Sequence, residues 1–291
     1  MPLSQSQIQT ILQNEHIVEF EKDIRTFSKK TLRKHFSSRT GRIVLTRLIK
    51  SVIWQVYQRI LSGDEQKIFG NIRTFWYRYL KVIITKIPKR DLGKTDPYDV
   101  MTKIFSEMVF DLRLFRYKDF DFSDENWENR RIGQTKPHVL VFAEKAGWMR
   151  YLRQVHSKYG VSTLALGGFP SSLTSEYTSI DIKKAIPQDQ KIQLIGIVDF
   201  DPSGQLIAQS FRHQLELAGL QIESLQTIIS PKHYTDKELD LYQYRLPRKQ
   251  RTKLARWLEQ TNGVRGKAYG LESESMPLER LNDILKNLLI F

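Results

Sequence analysis

The sequence predicts an α/β chain: an α-rich, strongly basic N-terminal part, then a parallel sheet with flanking helices. Three observations carry this. First, residues 21–90 hold 18 Lys and Arg against 4 Asp and Glu. The whole chain of 291 residues holds 46 against 32, a net charge of +14, so everything outside that segment is balanced. Second, the basic segment has apolar residues at helical spacing. Third, from residue 138 short apolar runs alternate with helical patterns, the signature of strand–helix–strand units with right-handed crossovers.

Composition sets the bounds. With 40% hydrophobic and 11% aromatic residues the chain has material for a core. The absence of cysteine excludes disulfide scaffolds, cysteine-ligated zinc, iron–sulfur clusters and thiol catalysis. No apolar run reaches the roughly 18 residues of a membrane span. The first 20 residues lack the basic-then-apolar pattern of a signal peptide, so an intracellular protein with no membrane partner is expected. A positive charge confined to one quarter of the chain points to a polyanion-binding module, with nucleic acid the first candidate.

The elements follow in order. Residues 1–37 are expected to form an arm that docks a partner or steadies a dimer. Residues 42–61 place Ile43, Leu45, Leu48, Val52, Ile53, Val56 and Ile60 on one apolar helical face. Ser62-Gly63-Asp64 stops that helix. Asn71 caps a longer one, IRTFWYRYLKVIITKI, which Pro88 ends. Asp96 and Pro97 open another that runs to about Phe115. Such a set suits a helix-turn-helix or winged-helix unit, although periodicity alone does not choose between that and a simple bundle. Residues 119–136, without periodicity, read as a wing or linker, with a domain boundary at 133/134. Beyond it, strands are expected at 138–144, 161–168, 193–201 and 222–230. Helices are expected at 147–159, 171–186 and 203–218, the last closed by Gly219.

In such a sheet chemistry gathers at the carboxyl ends of the strands. Glu144, Gly167-Gly168 and Asp199-Phe200-Asp201 fall there. In an extended Asp-x-Asp both carboxylates point to one side. Together with Glu144 they form a hard-oxygen set suited to Mg²⁺ or Mn²⁺. That ion can polarise a phosphodiester, and Pro202-Ser203-Gly204 leads into a helix whose N-terminus favours phosphate. The competing reading is a helix cap and a turn. His138, His156 and His213 share no metal-ligand spacing. LPRKQRTKLARW (246–257), with Arg248, Lys249, Arg251 and Trp257, is a second basic cluster, and Lys145 is a further candidate phosphate contact.

The segments VFAEKAG, LALGGFPSS and GIVDFDPSG resemble the Toprim domain, the metal-binding module of topoisomerases, primases and certain nucleases. Glu144, Asp199 and Asp201 match its three acidic positions, and Pro202 and Gly204 also fit. Within that group, KAYGLESESMPLERLNDIL, with Glu272 and Glu274, resembles the DNA-cleaving, A-type component of topoisomerase VI and the related meiotic double-strand-break transesterase. That family joins a CAP-like winged helix to a Toprim domain. Its Arg-x-x-x-Tyr pattern is matched by Arg73 and Tyr77 in NIRTFWY. The resemblance implies domains at 38–133 (winged helix) and 134–291 (Toprim with a C-terminal extension). It also implies a homodimer on duplex DNA that makes staggered, Mg²⁺-dependent breaks ending in 5′-phosphotyrosyl bonds, and a nucleoid or nuclear setting.

A phenol with a free pKa near 10 attacks phosphorus only where cations favour the phenolate. At helical spacing Arg73 and Lys81 lie four residues either side of Tyr77, with Arg78 beside it as a DNA contact, while Trp76 and Leu80 are expected in the core. The chain departs from the family in being short and in lacking a nucleotide-binding loop, so a B-type ATPase partner is expected as a separate chain, or else this is a reduced, stand-alone A-type protein. Two other readings stay open. One is a hydrolytic Toprim nuclease of a phage, plasmid or defence system. The other is a DNA-binding protein without activity.

Overall fold

The computed structural model describes residues 3–92, 95–247 and 251–289. The chain divides into two compact units, residues 1–125 and 126–291. This is earlier than the boundary at 133/134 expected from composition. The reason is local: residues just after the division already pair with the sheet of the second unit.

The first unit is helical. It comprises α1 (Gln5–Asn14), α2 (Lys29–Phe36), α3 (Leu45–Ser62), α4 (Ile72–Phe75), α5 (Lys81–Ile84), α6 (Lys89–Leu92) and α7 (Pro97–Ser106). The helix α3 starts three residues later than periodicity suggests and ends at Gly63, whose φ of 83° supplies the left-handed cap. A single helix is expected at 72–87. Instead a π-helical turn (Trp76–Leu80) separates α4 from α5. A second π turn (Glu107–Asp111) ends the helix that the sequence extends to Phe115. The core is a cluster of rings, with Phe75, Phe105, Phe120 and Phe122 all buried and in mutual contact. Among the described residues of this unit the only strand-like pairings are the isolated bridges Ser37–Ile43 and Gly70–Phe122. No two-stranded wing forms where 119–136 suggests one. Phe120 and Phe122 are taken into the core, and Arg130–Arg131 becomes β1 of the second unit.

The N-terminal arm is not free. The helix α1 has a complete capping box at Ser4 and Gln7 and buries Leu12. The chain after it is strapped to the polar side of α3. Ser51 accepts the Val18 N–H, and Gln55 accepts the Ile24 N–H while donating to the carbonyls of Phe20 and Lys22. Trp54 donates to Glu19. The buried Lys50 ammonium lies 2.6 Å from both Glu15 and Glu107. These pairings explain why polar residues interrupt the apolar face of α3: they hold backbone groups that a purely apolar helix would leave unsatisfied.

The second unit is a five-stranded sheet in the order β1-β3-β2-β4-β5. Its strands are β1 (Arg130–Arg131), β2 (Lys136–Ala143), β3 (Val161–Ala165), β4 (Ile192–Ile197) and β5 (Ile222–Thr227). All neighbouring pairs are parallel except β1 with β3. The helices α8 (Met149–Tyr159), α9 (Ser172–Ala185) and α10 (Pro202–Leu217) are the crossovers. Strand β2 shows why its sequence is a continuous apolar run. Val139, Val141 and Ala143 pack into one core with Leu152 and Val155 of α8. Leu140 and Phe142 pack into a second core with Ile182 of α9 and Phe211 and Leu215 of α10. The chain leaves β2 towards β3, then crosses back to β4 and β5. The strand order therefore reverses between β2 and β4, and the crevice at their carboxyl ends is a topological switch point.

After β5 come α11 (Asp236–Tyr242), the hairpin β6 (Gln243–Arg245) and β7 (Tyr269–Leu271) with α12 (Arg251–Thr261) between them, and α13 (Leu278–Leu289). Leu281, Leu285 and Leu289 of α13 complete the first of the two cores.

Candidate functional site

Glu144 follows β2 directly. Its N–H donates to the Ile197 carbonyl at the end of β4, and its own carbonyl accepts from Gly168 after β3. One residue thus ties together the ends of three strands. Strand β4 stops at Ile197, short of the run to 201 expected from sequence. Phe200 exchanges two backbone hydrogen bonds with Leu271, at 2.8 and 3.2 Å, while the Asp201 N–H donates to the Asp199 carbonyl at 3.0 Å, so the Asp-x-Asp segment turns at Phe200 and is not the straight extended run that strict alternation requires.

Each acid has defined partners. Asp199 accepts the Ser273 N–H on Oδ1 at 2.7 Å and faces the Lys145 ammonium with Oδ2 at 3.1 Å. Its own N–H points at Glu144 Oε2, 3.4 Å away. Asp201 is the N-cap of α10: its Oδ1 accepts the Gly204 N–H at 2.7 Å, and its Oδ2 accepts the Tyr244 hydroxyl at 2.7 Å. The N-terminus of α10, expected to be available to phosphate, therefore already carries a carboxylate. Glycine at 204 is required by space, since a Cβ there would come within 2.2 Å of the Asp199 carbonyl oxygen.

The electrostatics are those of crowded acids. Burial pushes the Glu144 carboxyl up from its ordinary value, and the nearby charges of Asp199 and Asp201 add to this. Lys145 loses some hydration, but hydrogen bonds to Glu274 and Asp199 hold its ammonium well above the usual lysine range. Burial, then donation to Asp201, pushes the Tyr244 phenol up, so it stays a neutral donor.

Sequence reasoning missed Tyr244 and Ser273. Ser273 is fully buried, and its Oγ accepts the Trp148 indole N–H at 3.2 Å while its backbone N–H holds Asp199. Glu272 and Glu274, drawn in through the resemblance, flank it and reach Lys145. No spacing signal leads to these residues. They arrive through the Phe200–Leu271 bridge, which only the fold reveals.

Among the described residues no group of three His, Cys, Asp or Glu side chains is gathered closely enough to hold a metal ion. The donors are of the chemical type that Mg²⁺ or Mn²⁺ prefers, carboxylate oxygens at a switch point. As they stand, Lys145 occupies the space beside Asp199, and Asp201 spends its two oxygens on the Gly204 N–H and the Tyr244 hydroxyl. His156, by contrast, engages the Val161 carbonyl at the start of β3, at 2.9 Å.

In the first unit Tyr77 is 53% exposed and stands in the π turn. The Lys81 ammonium lies over its ring, 4.5 Å from the centroid. The Arg73 guanidinium stacks on Tyr98, 5.6 Å from that ring. Arg78 is exposed. Trp76 is only half-buried, against Tyr98; Leu80 is in the core as expected, joined there by Phe75 and Tyr79. In the second basic cluster Arg248 and Lys249 lie outside the described residues, Arg251 opens α12, and Trp257 is buried against Phe200.

No protein-family model matches the chain, and no curated protein matches it. No helix among the described residues is long and apolar enough to cross a membrane.

Proposed function

We propose that this chain is a divalent-metal-dependent DNA-cleaving protein, with a Toprim-like second unit that holds the ion and a basic, helix-turn-helix-like first unit that grips duplex DNA and presents Tyr77 as nucleophile. The observation that supports the reading is the contact of Glu144 with Asp199 at the switch point between β2 and β4, with Asp201 two residues on and Lys145 linking Asp199 to Glu272 and Glu274. In this reading Glu144, Asp199 and Asp201 hold the ion, which supplies charge neutralisation at a phosphodiester and its leaving oxygen.

Tyr77 supplies the rest. Its phenolic oxygen bonds to phosphorus, the bond from phosphorus to the 3′ oxygen breaks, and the phenol proton passes to solvent while the 3′ oxygen takes one up. The product is a 5′-phosphotyrosyl end and a 3′ hydroxyl, with the bond energy conserved for religation. Lys81, whose ammonium lies over the Tyr77 ring, is placed to meet a phosphate beside the phenol. Arg73 and Arg78 contact phosphate. A homodimer would cut both strands, and an ATPase partner would drive any strand passage.

The test is supercoiled plasmid with Mg²⁺ or Mn²⁺, stopped with detergent and run with and without protease, for wild type, Tyr77→Phe and Asp199→Ala. DNA that enters the gel only after proteolysis, lost in both variants, supports the proposal. Protein-free ends that persist in Tyr77→Phe but vanish in Asp199→Ala would reassign the nucleophile to water. Cleavage that survives Asp199→Ala would overturn the metal reading.

A further inference from the structure

Lys145 occupies an unusual place for a lysine beside candidate metal ligands. Its ammonium lies 3.1 Å from Asp199 Oδ2 and 3.5 Å from Glu272 Oε2, and is in contact with Glu274 as well. One cation thereby links the loop after β4 to the short 3-10 turn Ser273–Ser275 after β7. The same turn is anchored independently, by the Ser273 N–H on Asp199 and by the Tyr234 hydroxyl against Ser275 at 3.0 Å. Lys145 is thus not needed to bring the turn to the site. Its side chain is 28% exposed, against 61% and 52% for Glu272 and Glu274. Ion pairs so open to water contribute little stability. What the lysine does supply is positive charge among carboxylates that repel one another.

We propose that Lys145 is a positioning residue that serves as an internal counter-cation: it ties Asp199 to the Glu272–Glu274 turn in the metal-free protein and gives way when a divalent ion is bound by Glu144, Asp199 and Asp201. The inference rests on the metal-dependent reading above. An ammonium that stayed within 3.1 Å of Asp199 Oδ2 would face a divalent charge at short range in a partly dehydrated crevice, where like-charge repulsion is strong. A lysine stem, with its rotatable bonds, can swing its charge aside more easily than a planar guanidinium. The displaced ammonium then faces solvent at the mouth of the crevice, where a phosphodiester is the complementary anion. The site exchanges one cation for another and is never left as a bare set of acids.

The experiment is a double-mutant cycle read by thermal unfolding, with Lys145→Met, Glu274→Gln and the double variant, each without metal and in saturating Mn²⁺. Mn²⁺ binding to the same proteins is measured by the disappearance of the free-ion paramagnetic resonance signal. Without metal, the two substitutions are expected to be non-additive, as for residues in contact. In Mn²⁺ the cycle is expected to become additive, and Lys145→Met to bind Mn²⁺ roughly tenfold tighter than wild type, because its competitor is gone. Coupling that persists undiminished in Mn²⁺, or none without it, overturns the counter-cation role while leaving the metal reading intact. Failure of both wild type and Lys145→Met to bind Mn²⁺ overturns both. A merely structural lysine would show a coupling that the metal does not change.

Discussion

Replacing Gly204 by alanine sets two forces of opposite sign against each other. Gly204 is the third residue of α10. On helix propensity alone alanine would stabilise by about 1 kcal/mol. The surroundings oppose it. The added Cβ would lie 2.2 Å from the Asp199 carbonyl oxygen and 3.0 Å from its carbonyl carbon and nitrogen. Real Cβ atoms do not approach so closely, and the obstacle is backbone rather than a side chain that can rotate away. Asp199 cannot yield by itself, because its carboxylate holds the Ser273 N–H and Phe200, next in the chain, is bridged to Leu271. Overpacking of this kind costs about 1–3 kcal/mol. A backbone obstacle at this distance belongs at the upper end of that range, so set against the propensity gain a net loss of about 2 kcal/mol is expected, which for a domain of this size lowers Tm by roughly 4–8 °C. Differential scanning calorimetry of the metal-free protein is the assay, with Ser203→Ala as the exposed control, expected to change stability by less than about 0.5 kcal/mol. A Tm for Gly204→Ala equal to or above wild type would refute the claim that the Asp199–Asp201 loop is packed rigidly on α10.

Three further outcomes follow from the same contacts. Glu144 binds its proton more tightly in the folded than in the unfolded chain, so its ionisation costs stability as pH rises above the ordinary glutamate value of 4.5; Glu144→Gln should raise the Tm of the metal-free protein at pH 7 but hardly at pH 4, and an equal gain at both would contradict the cause assigned. Glu238 is the opposite case: the Arg280 hydrogen bond, then the Thr235 backbone N–H, holds its carboxyl at about 2, so the stability it contributes is present above 4.5 and lost as pH falls towards 2. Arg280→Met should therefore lower the urea midpoint clearly at pH 7 and little near pH 2, and a constant difference would show that the pair is not its origin. Gln55→Ala removes three hydrogen bonds to the strapped arm at about 1 kcal/mol each; limited proteolysis should then cut between residues 18 and 26 at a protease dose that leaves wild type intact, and unchanged protection would mean that apolar burial alone holds the arm.

The parts of the fold that were legible are those whose burial is symmetrical. Strands β2, β3 and β4 are covered on both faces, so each reads as an apolar run that ends at a change of polarity, and Glu144 and Asp199 stand at those ends. The helices were legible by period, but period also hid the two π turns, which leave the apolar pattern of Phe75, Tyr79 and Leu80 undisturbed. The short strands β1, β6 and β7 were not legible, because two or three residues carry no alternation to detect. Of the two readings of 119–136, the division between the units at 125/126 falls inside the segment as a linker would have it, and no wing forms. Phe120 and Phe122 lie within a polar stretch, yet both rings are buried, and a segment that inserts its aromatics into a core cannot also stand out as a hairpin.

The same distinction bears on how the acidic site should be understood. Strand ends alone place Glu144, Asp199 and Asp201 in one crevice, but they do not orient a carboxylate. Orientation comes from the far end of the chain: Ser273 N–H fixes Asp199, and the Tyr244 hydroxyl fixes Asp201, each at 2.7 Å. Both are delivered by the β6–β7 hairpin, whose Leu271 pairs with the residue between the two aspartates. Gly270, opposite Tyr244 in that hairpin, has no room for a side chain, since a Cβ there would meet the Tyr244 ring at 2.8 Å. The helix cap and the turn that the sequence allowed are both present, at Asp201 and across Phe200, and a second, remote segment holds Asp199 and Asp201 as well. In the proposed metal-dependent reading, these outer hydrogen bonds would fix the carboxylates before an ion arrives. The C-terminal segment is therefore part of the site and not an appendage to it.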